Sequence, residues 1–493
     1  MKLRKLSVLL CVALGCTLAV HAQKVAIHPT PVQCEISETK WVPLNNVVIA
    51  SSDKNAQEWA ARHLKQWYGK EAPKVVELQQ STEAMGDEEY ELKADESGIR
   101  IKAKSLQGVR YALYTLRQAA IPQRGTLKVE GWMVPECTIK DRPGLTFRGI
   151  HICWFHETEV WEVERLIRMA AYYKLNYAVV EPWGTFRSKV APWYGWPDGT
   201  MTQREIKRLK RIADDLGITL IPQINVFGHA TASRGGAGKH STLEFNPKYQ
   251  PLFEPLNGWN WCLSNPETRK VLTRLIAELH EAFGNPPYFH IGGDEAMPPS
   301  CPQCTDRPYS DLFLEHIKAM NDVIVARGAR TMMWHDMLLQ RGDERWQGFY
   351  ANGSPETAEG FRQFPRNIII CDWFYDEAKK DYPTLDYFKQ LGFPVLTCPW
   401  HNWNGTIAQG RHAHKSGING ILGTLWHHHF GNNLINIFFT LANAAWNADS
   451  PFRLTEGSVQ THLRQIGWDM KTKNPRHTGT FYDEIPPEPF LNN

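Results

Sequence analysis

Asp294 and Glu295 stand side by side at the end of the run His290-Ile291-Gly292-Gly293-Asp294-Glu295-Ala296. Paired acids in a cleft are the usual equipment for cleaving a glycosidic bond. Neighbours on a strand point to opposite faces, so this pair cannot flank one bond symmetrically. One carboxyl reaches the glycosidic oxygen while the other holds a different part of the sugar. Gly292 and Gly293 remove side-chain bulk, so another group can approach the backbone closely. An Asp-Glu pair alone is more often surface charge or a metal ligand; the two glycines before it at a strand end make it a site. Tryptophan points the same way. The chain carries 19, of which only Trp41, Trp59, Trp67 and Trp132 precede residue 150. Indole stacks on flat apolar faces, including those of sugar rings, although a packed core also consumes it.

A pair of acids is useful only if a scaffold aims it. Past the turn cluster Asp141-Arg142-Pro143-Gly144, short apolar runs at 145–154, 177–183, 219–226, 288–295, 331–337, 368–375, 395–400 and 420–426 read as strands. Helical periodicity separates them at 160–173, 203–216, 266–283, 311–327, 385–391 and 433–446. Eight strands, each followed by a helix or a helix-sized crossover, is the arithmetic of an α/β protein built on a (β/α)8 barrel. No G-x-G-x-x-G follows the first strand, which argues against an open doubly wound sheet. Ahead of the barrel, 23–142 reads as a small α/β module, with alternating strands at 90–94 and 98–103 and amphipathic helices at 56–68 and 108–119. The barrel then occupies 143–450, and 451–493, with its Ile485-Pro486-Pro487-Glu488-Pro489 run, reads as an extended strap.

At 42% hydrophobic and 22% charged, the 493 residues exclude a disordered or collagen-like chain. A net charge of +3 is too small for gripping nucleic acid or anionic lipid. Residues 1–22 read as an export signal: basic Lys2, Arg4 and Lys5, an apolar stretch to Val20, then Val20-His21-Ala22 at the cleavage position. Apolar Leu18-Ala19-Val20 after Cys16 argues for ordinary cleavage over lipidation, and for a periplasmic or extracellular protein. The signal holds no acid, so its loss lowers 55 cations to 52, equal to the 52 acids. No later stretch reaches the length of a membrane span. Eight cysteines remain, with Cys301-Pro-Gln-Cys304 the one close pair. A zinc site would need two further ligands, and no second CxxC or spaced His pair follows nearby, which favours a local disulfide or free thiols. No metal and no cofactor is expected.

The His-x-Gly-Gly-Asp-Glu run resembles the signature of glycoside hydrolase family 20, the β-N-acetylhexosaminidases. Phe147-Arg148-Gly149 opens the barrel as in that family, and 221–229, reading Ile-Pro-Gln-Ile-Asn-Val-Phe-Gly-His, is similar to its third-strand motif. The resemblance implies exo-acting, substrate-assisted, retaining hydrolysis of a glycan ending in N-acetylhexosamine, through an oxazolinium intermediate. It implies that Asp294 orients the acetamido group and that Glu295 is the acid/base. Tyr375 is then the candidate for holding the acetamido oxygen. Arg148 would contact sugar hydroxyls, and Glu181 and His229 would form a relay to Glu295. Trp334 and Trp426 would wall the pocket, with Trp373, Trp400 and Trp403 as further walls; Trp161 and Trp446 read as core.

Three departures stand out. The first strand carries Ile150-His151-Ile152-Cys153-Trp154 where the family usually has an Asp and an Arg, and Gln223 and Asn225 replace two acids. After Trp426, where the family has a Glu that binds O4 or O6 of the terminal sugar, stand His427, His428 and His429. Replacing an acceptor-only carboxylate with a donor changes which sugar the pocket prefers. That points to a modified sugar such as 6-sulfo-N-acetylglucosamine, or to a relaxed gluco/galacto preference. The same departures keep open a catalytically silent sugar-binding protein on this barrel.

Overall fold

The computed structural model describes residues 25–450, apart from residues 79, 81, 127, 232–238, 241, 256, 428 and 430. The expected export signal, His428 and the strap lie outside the described residues. Alternation of buried and exposed positions builds the first sheet: Leu92, Ala94, Ile99 and Ile101 point inward while their neighbours face out. Its strands are β1 (Gln33–Pro43), β2 (Asn46–Ala50), β3 (Lys74–Glu77), β4 (Tyr90–Asp95), β5 (Gly98–Ala103), β6 (Ile121–Arg124) and β7 (Val129–Asp141). They lie in the order β1-β7-β4-β5-β2-β3, with β6 added on β7. Helices Ala56–Tyr68 and Leu106–Ala119 cover it. The second begins at Ser105, whose hydroxyl accepts from the Gln107 and Gly108 amides.

The barrel strands are β8 (Phe147–Trp154), β9 (Tyr177–Pro182), β10 (Thr219–Pro222), β11 (Tyr288–His290), β12 (Arg330–Trp334), β13 (Ile369–Trp373), β14 (Val395–Cys398) and β15 (Gly420–Thr424). All pair in parallel, and β15 returns to β8. The seam between β10 and β11 is closed by a short parallel bridge, with the Ile224 amide donating to His290 O at 3.1 Å and the Val226 amide to Ile291 O at 3.0 Å. Phe147, Ile221, Met332, Trp334, Ile369, Leu396 and Leu422 fill the interior, so the barrel is a packed core and not a pore.

Every expected strand has its counterpart, but from the third to the eighth the expected ones run two to five residues too far at their C-terminal ends. There the chain leaves the ladder to make loops. After β11 this takes φ of 66° at Gly292, 92° at Gly293 and 46° at Glu295. Helix Trp403–Ser416, between β14 and β15, went unread. It contains Gly405 and Gly410, and a side chain on Gly410 would stand 2.7 Å from Ala444 O, so it exists through close packing against helix Gly431–Trp446.

Arg148 requires a correction. It is the second residue of β8, at the end of the barrel opposite the loops, and it is 0% exposed. Its guanidinium donates to both carboxylate oxygens of Glu88 (2.5 and 3.2 Å), to the Tyr111 hydroxyl at 2.7 Å and to Leu145 O at 2.7 Å. A fork so occupied cannot reach a sugar; it ties the first module to the barrel. Beside it Lys174 reaches Asp141 at 3.1 Å and Tyr90 at 2.8 Å, and Trp446 donates to Asp141 at 2.7 Å. Lys174 and Asp141 are both fully buried, so removing one strands the other's charge. Lys174→Met should lower unfolding stability by about 3 kcal/mol in denaturant titrations, with the KM for any glycoside substrate unchanged.

Candidate active site

The loops after the barrel strands enclose a cavity of about 750 Å³. Asp294 and Glu295 line it, together with Trp183, Trp334, Trp373, Trp400, Trp426, Tyr375, His229 and His427. The left-handed backbone at Gly292 and Gly293 carries the chain from β11 onto this floor. A side chain on Gly292 would stand 2.1 Å from the Asn225 side-chain amide, and one on Gly228 would stand 2.3 Å from Asp294 O. The glycines therefore let the loops after β10 and β11 close on each other. His229, Glu295 and Trp426 also adopt positive φ of 54°, 46° and 48°. Such strain in non-glycine residues concentrates where a fold fixes functional side chains.

The two carboxylates sit in different surroundings. Glu295 has 49% of its side chain exposed and opens to the cavity. Its peptide is fixed from both sides: the amide donates to Asp336 Oδ2 at 3.0 Å, and the carbonyl accepts from Trp259 Nε1 at 2.7 Å. Asp294 is buried. Burial pushes its carboxyl up, but the ammonium of Lys239 and the imidazole of His229 outweigh it and hold the group at about 2. His229 Nε2 lies 3.1 Å from Glu295 Oε2 and 3.4 Å from Asp294 Oδ2.

Glu181 does not touch His229. Its Oε1 accepts from Lys239 Nζ at 2.6 Å and its Oε2 from His151 Nε2 at 3.0 Å. Burial would raise its carboxyl, yet Lys239 and His151 hold it well below the carboxylate range. Lys239 thus takes the place expected for the relay's middle member, bridging Glu181 to Asp294 at 3.9 Å. With its amide oxygen turned to Lys239, Asn225 accepts from Nζ at 2.9 Å and donates to Glu181 Oε1 at 3.2 Å. His151, Cys153 and Glu181 are close enough to share a cation, and the Lys239 ammonium already supplies that charge.

Nothing in the sequence flagged Lys239, which follows a Gly-Gly-Ala-Gly stretch that reads as loop. Asp336 was equally hidden, inside a run read as strand. It accepts from the Glu295 amide, from Asn352 at 3.0 Å and from Trp373 Nε1 at 3.3 Å. Burial, then repulsion from Asp294, lifts its carboxyl to about 7.

The aromatic wall is interlocked. Trp373 lies between Tyr350 (4.3 Å) and Tyr375 (5.1 Å), both near-parallel to it, and Trp426 Nε1 donates to the Tyr375 hydroxyl at 3.0 Å. Trp183, whose wall position went unread, packs near the Lys239 ammonium at 5.0 Å. Trp403, 42% exposed, begins its helix and does not line the cavity, which corrects its expected place. Trp446 is core, as its helical spacing implied, packed into the hydrophobic cluster of the first module. Of the three histidines after Trp426, His427 faces the cavity beside Trp400. His429 is buried, with its carbonyl accepting from Arg165 at 2.8 Å.

A (β/α)8 barrel with a carboxylate pair in a tryptophan-walled cavity at its C-terminal mouth is the class that fold and site define. Two family models extend this: "Glycosyl hydrolase family 20, catalytic domain" matches residues 183–447, and "Glycosyl hydrolase family 20, domain 2" matches residues 24–142. The chain belongs to glycoside hydrolase family 20. A β-hexosaminidase of Vibrio furnissii is 26% identical over 412 residues, covering 75% of this chain and 61% of that protein. One from Porphyromonas gingivalis is 26% identical over 51% of this chain and 36% of its own length. A β-N-acetylhexosaminidase of Cellulomonas fimi is 29% identical over 46% and 48% respectively. The chain thus spans between about a third and three-fifths of these relatives. The fold is shared with an exo β-N-acetylglucosaminidase of Vibrio harveyi (TM-score 0.69, 19% identity, 90% of this chain and 77% of that one). It is shared as well with a β-N-acetylhexosaminidase of Bacteroides fragilis (TM-score 0.66, 19% identity, 90% and 96%).

The His229 imidazole gives the site a pH signature. Burial lowers its pKa, but Asp294 and Glu295 outweigh that and lift it from 6.5 to about 9. A value raised on folding means that the imidazolium's stabilisation is complete below about 6.5 and is lost as pH climbs through about 9. Between those limits the wild-type Tm should fall relative to that of His229→Gln. Thermal scans across pH 6–10 test this, and parallel curves for the two proteins would contradict it.

Proposed function

We propose that the chain is an exo-acting β-N-acetylhexosaminidase that removes terminal non-reducing N-acetylhexosamine from glycans by substrate-assisted, retaining hydrolysis. The observation that carries this reading is the asymmetry of the pair: Asp294 buried and kept ionised between two cations, Glu295 open to the cavity. An ionised Asp294 suits orienting an acetamido N–H and stabilising the positive charge that grows as the acetamido oxygen attacks C1. Glu295 protonates the leaving oxygen, then takes a proton from the water that opens the oxazolinium ion. The Tyr375 hydroxyl holds the acetamido oxygen, while Trp334, Trp373, Trp400 and Trp426 pack around the ring. Family membership and the names of the relatives support the same reading. Glu295→Gln should cut turnover of an aryl β-N-acetylglucosaminide by about 10²–10⁴-fold. Equal rates for wild type and variant would remove Glu295 from the acid/base role. Tight sugar binding with no wild-type turnover would favour a silent binding protein.

The sugar's far end is where this pocket departs from its family. His427 brings an imidazole where a carboxylate would repel an anionic 6-substituent, so the preferred terminal sugar is a modified one such as 6-sulfo-N-acetylglucosamine. Paired 6-sulfated and unsulfated aryl glycosides should show the higher kcat/KM on the sulfated one, with the gap closing in His427→Glu. A clear preference for the unsulfated glycoside overturns the sulfate assignment.

A further inference from the structure

Outside the cavity, four side chains converge from two loops. Glu254 and Cys262 come from the connection after β10, and Cys301 and Cys304 from the connection after β11. Their ligand atoms all lie within 4.8 Å of one another. Cys262 Sγ stands 3.6 Å from Cys301 Sγ and 3.7 Å from Cys304 Sγ, and all three thiols are unpaired. A disulfide would need about 2.05 Å. Four ligands about 2.3 Å from a central zinc ion define a tetrahedron with edges of about 3.8 Å, which matches the spacing of these sulfurs.

The carboxylate completes the set. Glu254 Oε2 accepts from the amides of Ser300 (2.7 Å) and Cys301 (2.8 Å), which fixes the side chain against the CxxC turn. Its Oε1 is buried with no hydrogen-bond partner. A buried acceptor left unsatisfied is costly, whereas an oxygen that binds a cation is satisfied. The Cys301 amide bound to the other oxygen of the same carboxylate is the kind of outer contact that orients metal ligands. The sequence hid this because the two ligands missing from Cys301-Pro-Gln-Cys304 lie about 40 and 50 residues upstream, with neither a second CxxC nor a histidine to mark them.

We propose that Cys262, Cys301, Cys304 and Glu254 form a closed, structural Zn²⁺ site. Binding releases the thiol protons and leaves three thiolates and one carboxylate on the metal. The site staples the two loops that hold the acid/base. Between Glu254 and Cys262, Trp259 donates to Glu295 O, and Asn260 exchanges hydrogen bonds with the Met297 backbone at 2.5 and 3.1 Å. The metal is a positioning element with no access to substrate, and the inference stands whether or not the glycosidase reading does.

The test uses the full chain, reduced and stripped of metal by a chelator, then titrated with Zn²⁺ alone. Metal analysis should give one zinc per chain, with a higher Tm for the loaded protein. Co²⁺ in its place should give a near-ultraviolet thiolate charge-transfer band and the intense visible bands of a tetrahedral site. Cys304→Ser should lose both. Glu254→Gln, which preserves shape, should keep the far-ultraviolet circular dichroism and bind zinc at least about tenfold more weakly. Failure of the reduced wild-type protein to bind zinc, a cobalt spectrum without thiolate bands, or a disulfide among these three cysteines in peptide maps would each overturn the site.

Discussion

A carboxylate buried in a barrel mouth stays ionised where a cation is buried with it; one without, such as Asp336, is pushed toward its neutral form. Here two acids and two cations alternate: Glu181, Lys239, Asp294 and His229, in contacts of 2.6 to 3.9 Å. Much else in the catalytic half follows from accommodating that cluster. Asn225 can be neutral because Lys239 already balances Glu181. Gly228 and Gly292 must be glycine because the loops bearing the charges press together. Trp183 and Trp426 can lie close to Lys239 because an indole face tolerates an ammonium. Asn225, an amide where the resemblance implied an acid, thus reads together with Lys239 and Glu181 as one arrangement of charge.

How far the sequence reveals this depends on the range of the forces involved. Strand and helix periodicity is local, and the eight strands of the barrel and most of its helices were legible from it. Strand ends were not, because the residues there obey the needs of the site and not those of the ladder. Asp294, Glu295 and the tryptophans at strand ends could be found because each sits within a few residues of a recognisable strand. Lys239 and Asp336 could not, since their importance arises from neighbours brought in by other loops. Arg148 shows the opposite failure: a residue in a recognisable motif, placed at the wrong end of its strand by analogy, whose counter-ion is 60 residues away in another module.

The loops after β10 and β11 behave as one body. The seam bridge at Gln223–His290, the glycine contacts and the bonds from Trp259 and Asn260 all join the same two segments. They carry His229 on one side and the acid pair on the other. Each holds its backbone in a strained conformation, which persists only because its partner over-determines it. The precision of the pair relative to the imidazole is therefore a property of the seam, not of either strand.

Among the described residues, the first module contributes none to the cavity, yet it holds the counter-ion of the barrel's opening strand. A lineage that shed this module would leave a guanidinium with backbone carbonyls but no counter-ion in the floor of the barrel, and one that exchanged it for another would have to supply a carboxylate at the same height. Glu88 and Arg148 are thus a heritable pair across a module boundary. The appendage and the barrel can be recombined only by swapping both halves of that lock together.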